Sequence, residues 1–407
     1  MSAATPHVTL ISTYYHPVVG GVETHARQLV RALVASGWQV AVVTRRTPPD
    51  RPKRESVDGA EVHAVAPRGA RNTLGKWAMI GPALIELLRI GGRTDLVVCV
   101  DLRSAGIAAV MGGRLIGRPV VLQAATPGAV SHAHWDPHLS RLGLDPEGAV
   151  ARALKWPLTS LYTSADAQVC VTQELADEAR GAGVAPERIH SIPHGVDLRR
   201  FRPAEPDAKR ELRRAFGWPD DRRVVLFVGR LSREKGVMDL VEAWARLDDA
   251  SALLVLVGPD MTEHRDDVGD DARRFVASRG LGDRVRFHGP VDDPAPLMRA
   301  ADIFVQPSHF EAFGISALEA IAAGLPTVAT AVGGLLDFLV DGENALLCRP
   351  HDPESLTSAL VRLLRDPVLA ERLGRSARAT AESRFDERVV TARYLELFRD
   401  LAARSQP

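Results

Sequence analysis

The segment PSHFEAFGISALEAIAAGLP contains two acids eight positions apart, Glu311 and Glu319, on either side of a glycine. Glu311 falls in a loop after the apolar run 302–308. Glu319 falls on the early turns of a helix that opens near Ile315 and stops at Gly324, ahead of Pro326. Eight helical residues span about 12 Å, and the loop shortens this, so the two carboxylates can hold opposite ends of one extended ligand. Between them, amide N–H groups around Phe313, Gly314 and Ile315 face whatever is negative. Carboxylates accept paired hydrogen bonds from neighbouring hydroxyls. An acid, an amide cluster and a second acid therefore match a sugar, a diphosphate and a ribose. Taken singly, Glu311 reads equally well as a solvated loop residue and Glu319 as the partner of a nearby arginine.

Two more segments carry compatible chemistry. In FVGRLSREKGVMDLVEAW the run 223–229 ends at Gly229 and leaves Arg230 and Lys235 in the loop before a helix. A guanidinium fork and an ammonium point charge at the carboxyl edge of a strand can neutralise a diphosphate. Solvated surface cations are the plain alternative. In YYHPVVGGVETHARQLV the run 7–13 leads through Gly20 and Gly21 into a helix beginning near Val22, a turn that lets an oxyanion approach backbone amides. It is neither G-x-G-x-x-G nor a P-loop, and a tight strand-to-helix turn explains it about as well.

The elements that position these loops alternate along the whole chain. Strand-like runs lie at 7–13, 38–44, 95–100, 119–125 and 168–172, and again at 223–229, 252–258, 283–289, 302–308, 326–330 and 345–350, with helical patterns between them. At 407 residues the chain suits two lobes, and its 45% apolar content supplies two cores. Prolines 193, 203 and 206 with Gly195 mark a linker near 193–206, FDERVVTARYLELFRDLAARS reads as a long terminal helix, and HRDDVGDDARR as a charged loop entering a helix. The 51 basic and 51 acidic residues cancel, which gives nucleic acid no electrostatic handle, although the first 200 residues carry 22 basic against 17 acidic. Cys99, Cys170 and Cys348 lack metal-type spacing and read as reduced core residues of a cytoplasmic protein. No run reaches the length of a spanning helix, and MSAATPHVTL lacks the pattern of a signal peptide.

From YYHPVVGGVE through IPHGVD, VGRLSREKG, VRFHGPV and EAFGISALEA to GGLLDFLVDGENALL, the chain resembles the retaining glycosyltransferase family 4, the group 1 glycosyl transferases of the GT-B fold. The resemblance implies two doubly wound α/β domains of Rossmann type facing across a cleft, with the C-terminal helix crossing back to the first. An acceptor-binding domain would cover 1–195 plus about 386–407, and a donor-binding domain 196–385. It implies that Arg230 and Lys235 bind the diphosphate, Glu311 the donor sugar and Glu319 the ribose. Gly20 and Gly21 would close on the diphosphate and sugar. Phe313, Gly314 and Ile315 would supply backbone donors, and residues 286–290, with His288 and Gly289, would lie near the nucleobase.

The mechanism implied is front-face substitution with retention, in which the leaving phosphate oxygen takes the acceptor's proton, so that Arg230, Lys235 and Glu311 act by charge and orientation. No nucleophile-and-base pair stands in the sequence, and no strand-terminal D-x-D, so neither metal nor cofactor is expected beyond the nucleotide-sugar co-substrate. UDP is the favoured base on family frequency alone. The acceptor, whether small molecule, glycan or lipid-linked, would be chosen by loops such as 45–59. That basic loop suits either a peripheral contact at the inner membrane surface or simple solubility, with solubility favoured. A nucleotide-sugar epimerase or other GT-B enzyme, or a noncatalytic nucleotide-sugar-binding protein, are the alternatives. Two positions depart from the family pattern. Ala125 stands where a histidine is common, with Gln123, Thr126, His132 or His134 as substitutes, and His194 stands where asparagine is common.

Overall fold

The computed structural model describes residues 5–18, 20–69, 73–247, 249–260 and 266–404. The chain divides into two compact units, Met1–His194 together with Val390–Pro407, and Gly195–Val389.

The first unit is built on an eight-stranded sheet. Its strands are β1 (His7–Ser12), β2 (Gln39–Arg45), β3 (Arg54–Val57), β4 (Ala60–Val65), β5 (Leu96–Cys99), β6 (Val120–Ala124), β7 (Ala167–Cys170) and β8 (Ile189–Ser191). They lie in the order β3-β4-β2-β1-β5-β6-β7-β8. All pairs are parallel except β3 with β4. Strands such as β5, buried at every position, are apolar without alternation because helices cover both faces. The last helix, Glu387–Ala403, belongs to this unit from Val390 onward, and its Tyr394, Phe398 and Leu401 join Ala26, Val30 and Val98 in one core.

The second unit carries β9 (Arg223–Val228), β10 (Ala252–Val257), β11 (Val285–Gly289), β12 (Ile303–Gln306), β13 (Thr327–Thr330) and β14 (Leu346–Cys348). Its sheet runs β11-β10-β9-β12-β13-β14, parallel throughout. This is the Rossmann order, and the direction of winding reverses between β9 and β12. Each unit is thus a doubly wound α/β domain. The three cysteines are buried and free, as their apolar surroundings imply.

Three strands are missing from the pattern expected of the sequence: β3, β4 and β8. The segment 45–59, expected as a loop, contains β3, which turns back through Asp58 and Gly59 to pair with β4. Both turn residues have positive φ, 51° and 82°, the geometry that an Asp-Gly hairpin supplies. Asp58 accepts from Arg27 Nε at 2.5 Å and Arg31 Nε at 2.9 Å, which ties the hairpin to the first helix. Of the charged stretch 264–274, residues 264 and 265 lie outside the described residues, and the helix Gly269–Ser278 begins within it. Among the described residues no helix is long and apolar enough to cross a membrane.

Asp302, just before β12, anchors the second sheet. Its carboxylate accepts from Arg213 Nη2 at 2.5 Å, Lys209 Nζ at 2.8 Å and the Val224 amide at 2.7 Å. Burial works against its ionisation, but Lys209 and Arg213 outweigh that and hold the carboxyl below the ordinary range. Its stabilising effect is therefore complete above the unfolded pKa of about 4 and disappears as pH falls through the lowered value. Asp302→Asn should cost about 3–5 kcal/mol at pH 7. In urea titrations the gap from wild type should close below pH ~4; a gap independent of pH would contradict the assignment.

Candidate functional site

The carboxyl ends of β9 and β12 flank the reversal of winding, where open α/β sheets bind ligands. Both loops carry residues singled out from the sequence. Beyond β12, Glu311 is partly buried, and its Oε2 accepts from Lys235 Nζ at 2.7 Å, Gln306 Nε2 at 3.2 Å and Ser308 Oγ at 3.2 Å. Gln306 is itself held, its Nε2 donating to Ser308 Oγ at 2.8 Å and its Oε1 accepting from Ser316 Oγ at 3.1 Å. Glu311 and Lys235, distant in sequence, thus form one ion pair at the strand ends.

Two glycines allow this approach. Gly236, at φ 67°, precedes the helix Val237–Arg246, and a Cβ there would stand 1.9 Å from the Pro307 carbonyl oxygen. Gly333 follows β13, and a Cβ on it would fall 2.2 Å from the Glu311 carbonyl oxygen, which also accepts the Gly334 amide at 2.9 Å. The loop bearing Lys235 is therefore pressed onto the loop bearing Glu311, which a third loop supports from β13. Gln306, Ser308, Gly333 and Gly334 are absent from the residues picked out by sequence. The only local signal was a polar Gln-x-Ser ending an apolar run.

Arg230 is exposed, and its guanidinium lies 3.6 Å from Glu234. The cations are thus unequal: Lys235 is fixed by Glu311, whereas Arg230 is held by a loose contact to its own loop. Phe313 is buried, its ring 5.4 Å from Phe338 and 6.3 Å from Phe385, so it is an anchor from which only the backbone can face a ligand. Gly314, at φ 97°, caps the helix Ile315–Ala322 without a side-chain hydrogen bond. Ile315 opens that helix, whose first amides have no acceptor within it. His288 and Gly289 end β11 at the sheet edge, with the His288 ring edge-on to Phe216 at 5.9 Å and Gly289 at φ 83°.

Glu319 is half-buried on the helix Ile315–Ala322. Desolvation pushes its carboxyl up to about 8; Arg200 opposes the shift and Asp293 adds to it. At neutral pH the unliganded carboxyl is mostly protonated, so it can donate one hydrogen bond as well as accept. Of the two acids expected to act as carboxylate acceptors, Glu311 accepts three hydrogen bonds from protein groups, and Glu319 has a carboxyl pushed toward its protonated form.

In the first unit, Gly20 caps the helix Gly21–Ala35 with extended backbone, and a Cβ on it would lie 2.2 Å from Glu23 Oε2. Val19 lies outside the described residues. On the same helix, buried His25 bonds Gln123 Oε1 through Nε2 at 2.9 Å, and its Nδ1 meets His194 Nδ1 at 3.0 Å. Burial lowers His25 to about 4 and holds His194 well below the ordinary histidine value, so both are neutral. Gln123 is thereby committed to His25. His132 is buried, with its Nδ1 3.2 Å from the Ala129 carbonyl oxygen and its ring 5.2 Å from that of Tyr162. Thr126 remains half-exposed beside Ala125, and the His134 side chain lies outside the described residues. Glu178, also missed from the sequence, clamps the following loop through the amides of Gly128, Val130 and Ser131 at 2.7, 3.1 and 2.9 Å.

Comparison with known proteins agrees with this architecture. The family model described as glycosyl transferases group 1 matches residues 208–380, and that of glycosyltransferase family 4 matches 19–200. D-inositol 3-phosphate glycosyltransferase 1 of Catenulispora acidiphila is 33% identical over 362 residues, 86% of this chain and 83% of that protein. The chain belongs to the group 1 glycosyl transferases of family 4. Among solved structures, this glycosyltransferase is similar to sucrose-phosphate synthase from Thermosynechococcus elongatus, with a TM-score of 0.80 and 26% identity over 98% of this chain and 99% of that one. It also shares its fold with Anabaena HepE in complex with UDP-glucose, with a TM-score of 0.77 and 20% identity over 97% and 99% of the chains.

Two outcomes test this geometry. Gly236→Ala should lower stability by about 2 kcal/mol or more, from its left-handed backbone alone and from the contact with Pro307 in addition. The control Gly282→Ala, with open space around its Cβ, should stay within about 0.5 kcal/mol of wild type. Because the folded-state pKa of Glu319 is raised, the native state keeps a proton that the unfolded chain loses, and stability falls as pH rises from 4.5 toward about 8. Glu319→Gln should match wild type near pH 5 and exceed it by on the order of 2 kcal/mol at pH 9. Parallel pH–stability curves for the two proteins would refute the shift.

Proposed function

We propose that the glycosyltransferase moves a sugar from a nucleoside diphosphate sugar, with UDP the favoured base, to an acceptor hydroxyl with retention at the anomeric carbon. The observation that carries this reading is the Lys235–Glu311 pair at 2.7 Å, set where the second sheet reverses its winding and next to the open helix start at Ile315. A diphosphate arriving there competes for the Lys235 ammonium and recruits the exposed Arg230. That releases Glu311 Oε2 from its ion pair and frees it to accept from sugar hydroxyls. Glu319, protonated at neutral pH, gives one hydrogen bond to a ribose oxygen and receives another, with the amides at Ile315 facing the phosphates between.

On this reading the second unit holds the donor and the first unit selects the acceptor. The acceptor hydroxyl attacks on the face from which the diphosphate leaves, and its proton passes to the departing phosphate oxygen. The C–O bond to the nucleotide breaks as the bond to the acceptor forms, and the charge that develops on the diphosphate is met by Arg230, Lys235 and helix amides. No side chain need form a covalent intermediate, and no ion is assigned to the diphosphate. The UDP-glucose bound by HepE and the inositol phosphate in the name of the Catenulispora enzyme support a nucleotide-sugar donor and a polyol acceptor.

A panel of nucleotide sugars scored by thermal shift tests the proposal, since a ligand at 100 times its Kd adds about 2.7 kcal/mol to stability. A UDP-sugar should give the largest shift, reduced in both Arg230→Ala and Lys235→Ala. Glu311→Gln should lower kcat by about 10²- to 10³-fold while the nucleotide diphosphate alone still binds. Undiminished shifts in both cation variants would remove the diphosphate assignment.

A further inference from the structure

Behind the Lys235–Glu311 pair the second unit brings together three side chains that the proposed transfer does not use. Asp239 stands in the first turn of the helix Val237–Arg246, His309 two residues before Glu311, and His351 between β14 and the helix Pro353–Arg365. Each offers one ligand atom, and the three atoms lie within 4.8 Å of one another. His309 Nε2 is 2.8 Å from Asp239 Oδ2, and the His309 and His351 rings lie together, centroids 3.7 Å apart and planes tilted by 37°. The His351 backbone adopts φ 56°, a left-handed conformation that glycine, asparagine, aspartate and histidine adopt more often than other residues, and in it the ring lies against His309. Asp239 and His309 are half-buried and His351 is exposed, so one side of the cluster opens to water.

Two imidazoles and a carboxylate are the donor set of zinc and its borderline neighbours, whereas magnesium and calcium require mostly oxygen ligands. A tetrahedral ion with ligands at about 2.1 Å spaces them about 3.4 Å apart, so the ion would open the His309–Asp239 pair from 2.8 Å and draw in the exposed His351. We propose that Asp239, His309 and His351 bind a divalent transition-metal ion of the zinc class, with water in the remaining position. The ion would fasten the helix that follows Lys235, the loop that carries Glu311 and the loop after β14. It acts as a clamp beneath the donor loops and takes no part in the transfer. Its backbone support already exists, since the His309 amide donates to the Glu234 carbonyl at 2.8 Å.

The test is metal binding, which is independent of sugar transfer. Protein stripped with EDTA is titrated calorimetrically with Zn²⁺ and, separately, with Mg²⁺, alongside His351→Asn and Asp239→Asn. Asparagine tolerates positive φ, so His351→Asn should fold, and its melting temperature in EDTA should match wild type. Because 13 histidines give a background of weak sites, the decisive quantity is the difference between proteins. Wild type should bind one tight Zn²⁺ that both variants lack, should not bind Mg²⁺ there, and should gain thermal stability with Zn²⁺ where the variants do not. Co²⁺ should give visible d–d bands in wild type alone. Equal Zn²⁺ stoichiometry in wild type and in either folded variant would overturn the proposal.

Discussion

The candidate site depends on holding a carboxylate and an ammonium together at two strand ends that are far apart in sequence. A partly buried ion pair loses hydration on both sides, and its own attraction repays that only when further hydrogen bonds complete the shell. Gln306 and Ser308 provide them for Glu311, and the backbone brings the loops close enough because positions 236 and 333 lack side chains. An ion pair of this kind is also displaceable. On the proposed reading, phosphate oxygens would replace the carboxylate on Lys235 and sugar hydroxyls the ammonium on Glu311, so the charge pair that organises the empty site would become two binding groups in the filled one.

The same economy explains why total charge says little about what the second unit binds. Residues 201–407 carry 29 basic and 34 acidic groups, an acidic excess in the half that holds the candidate anion site. A number of these acids pair with arginines nearby, as in Arg200–Asp293 and Arg273–Asp260. Local geometry then decides the field at the strand ends: one fixed ammonium, one exposed guanidinium and the open start of a helix. The raised pKa of Glu319 acts in the same direction, because a neutral acid does not repel a diphosphate as a carboxylate would.

Much of this architecture was legible in sequence because it rests on short-range signals. Apolar runs ending in glycine located the parallel strands, and Arg230, Lys235, Glu311 and Glu319 stood out by charge at the ends of those runs. The hairpin at Asp58 and Gly59 was equally local, but the basic residues around it masked the alternation. What could not be read are the contacts that join distant segments. Glu178 clamping the amides of 128–131, Gly334 donating to Glu311 and Gln306 orienting it leave no periodicity in the chain. The raised pKa of Glu319 was hidden for a related reason, since desolvation is set by what packs around a residue and not by its neighbours in sequence.

Around Ala125 the polar groups of the first unit are committed to one another. Gln123, two residues earlier on β6, points into the core and serves His25, and His25 in turn meets His194. With both imidazoles neutral, one Nδ1 must donate and the other accept, so each ring is restricted to one tautomer by its partner. Because His25 Nε2 donates to Gln123 Oε1, its Nδ1 accepts from His194; an asparagine at 194 could donate there with its amide nitrogen, and histidine does so with its ring centroid 4.4 Å from that of His25. This network joins the first helix, β6 and the segment beyond β8, and Tyr394 of the last helix packs 5.8 Å from His25. A histidine with a pKa near 4 and no access to water is a poor base at neutral pH, which makes His25 a structural link.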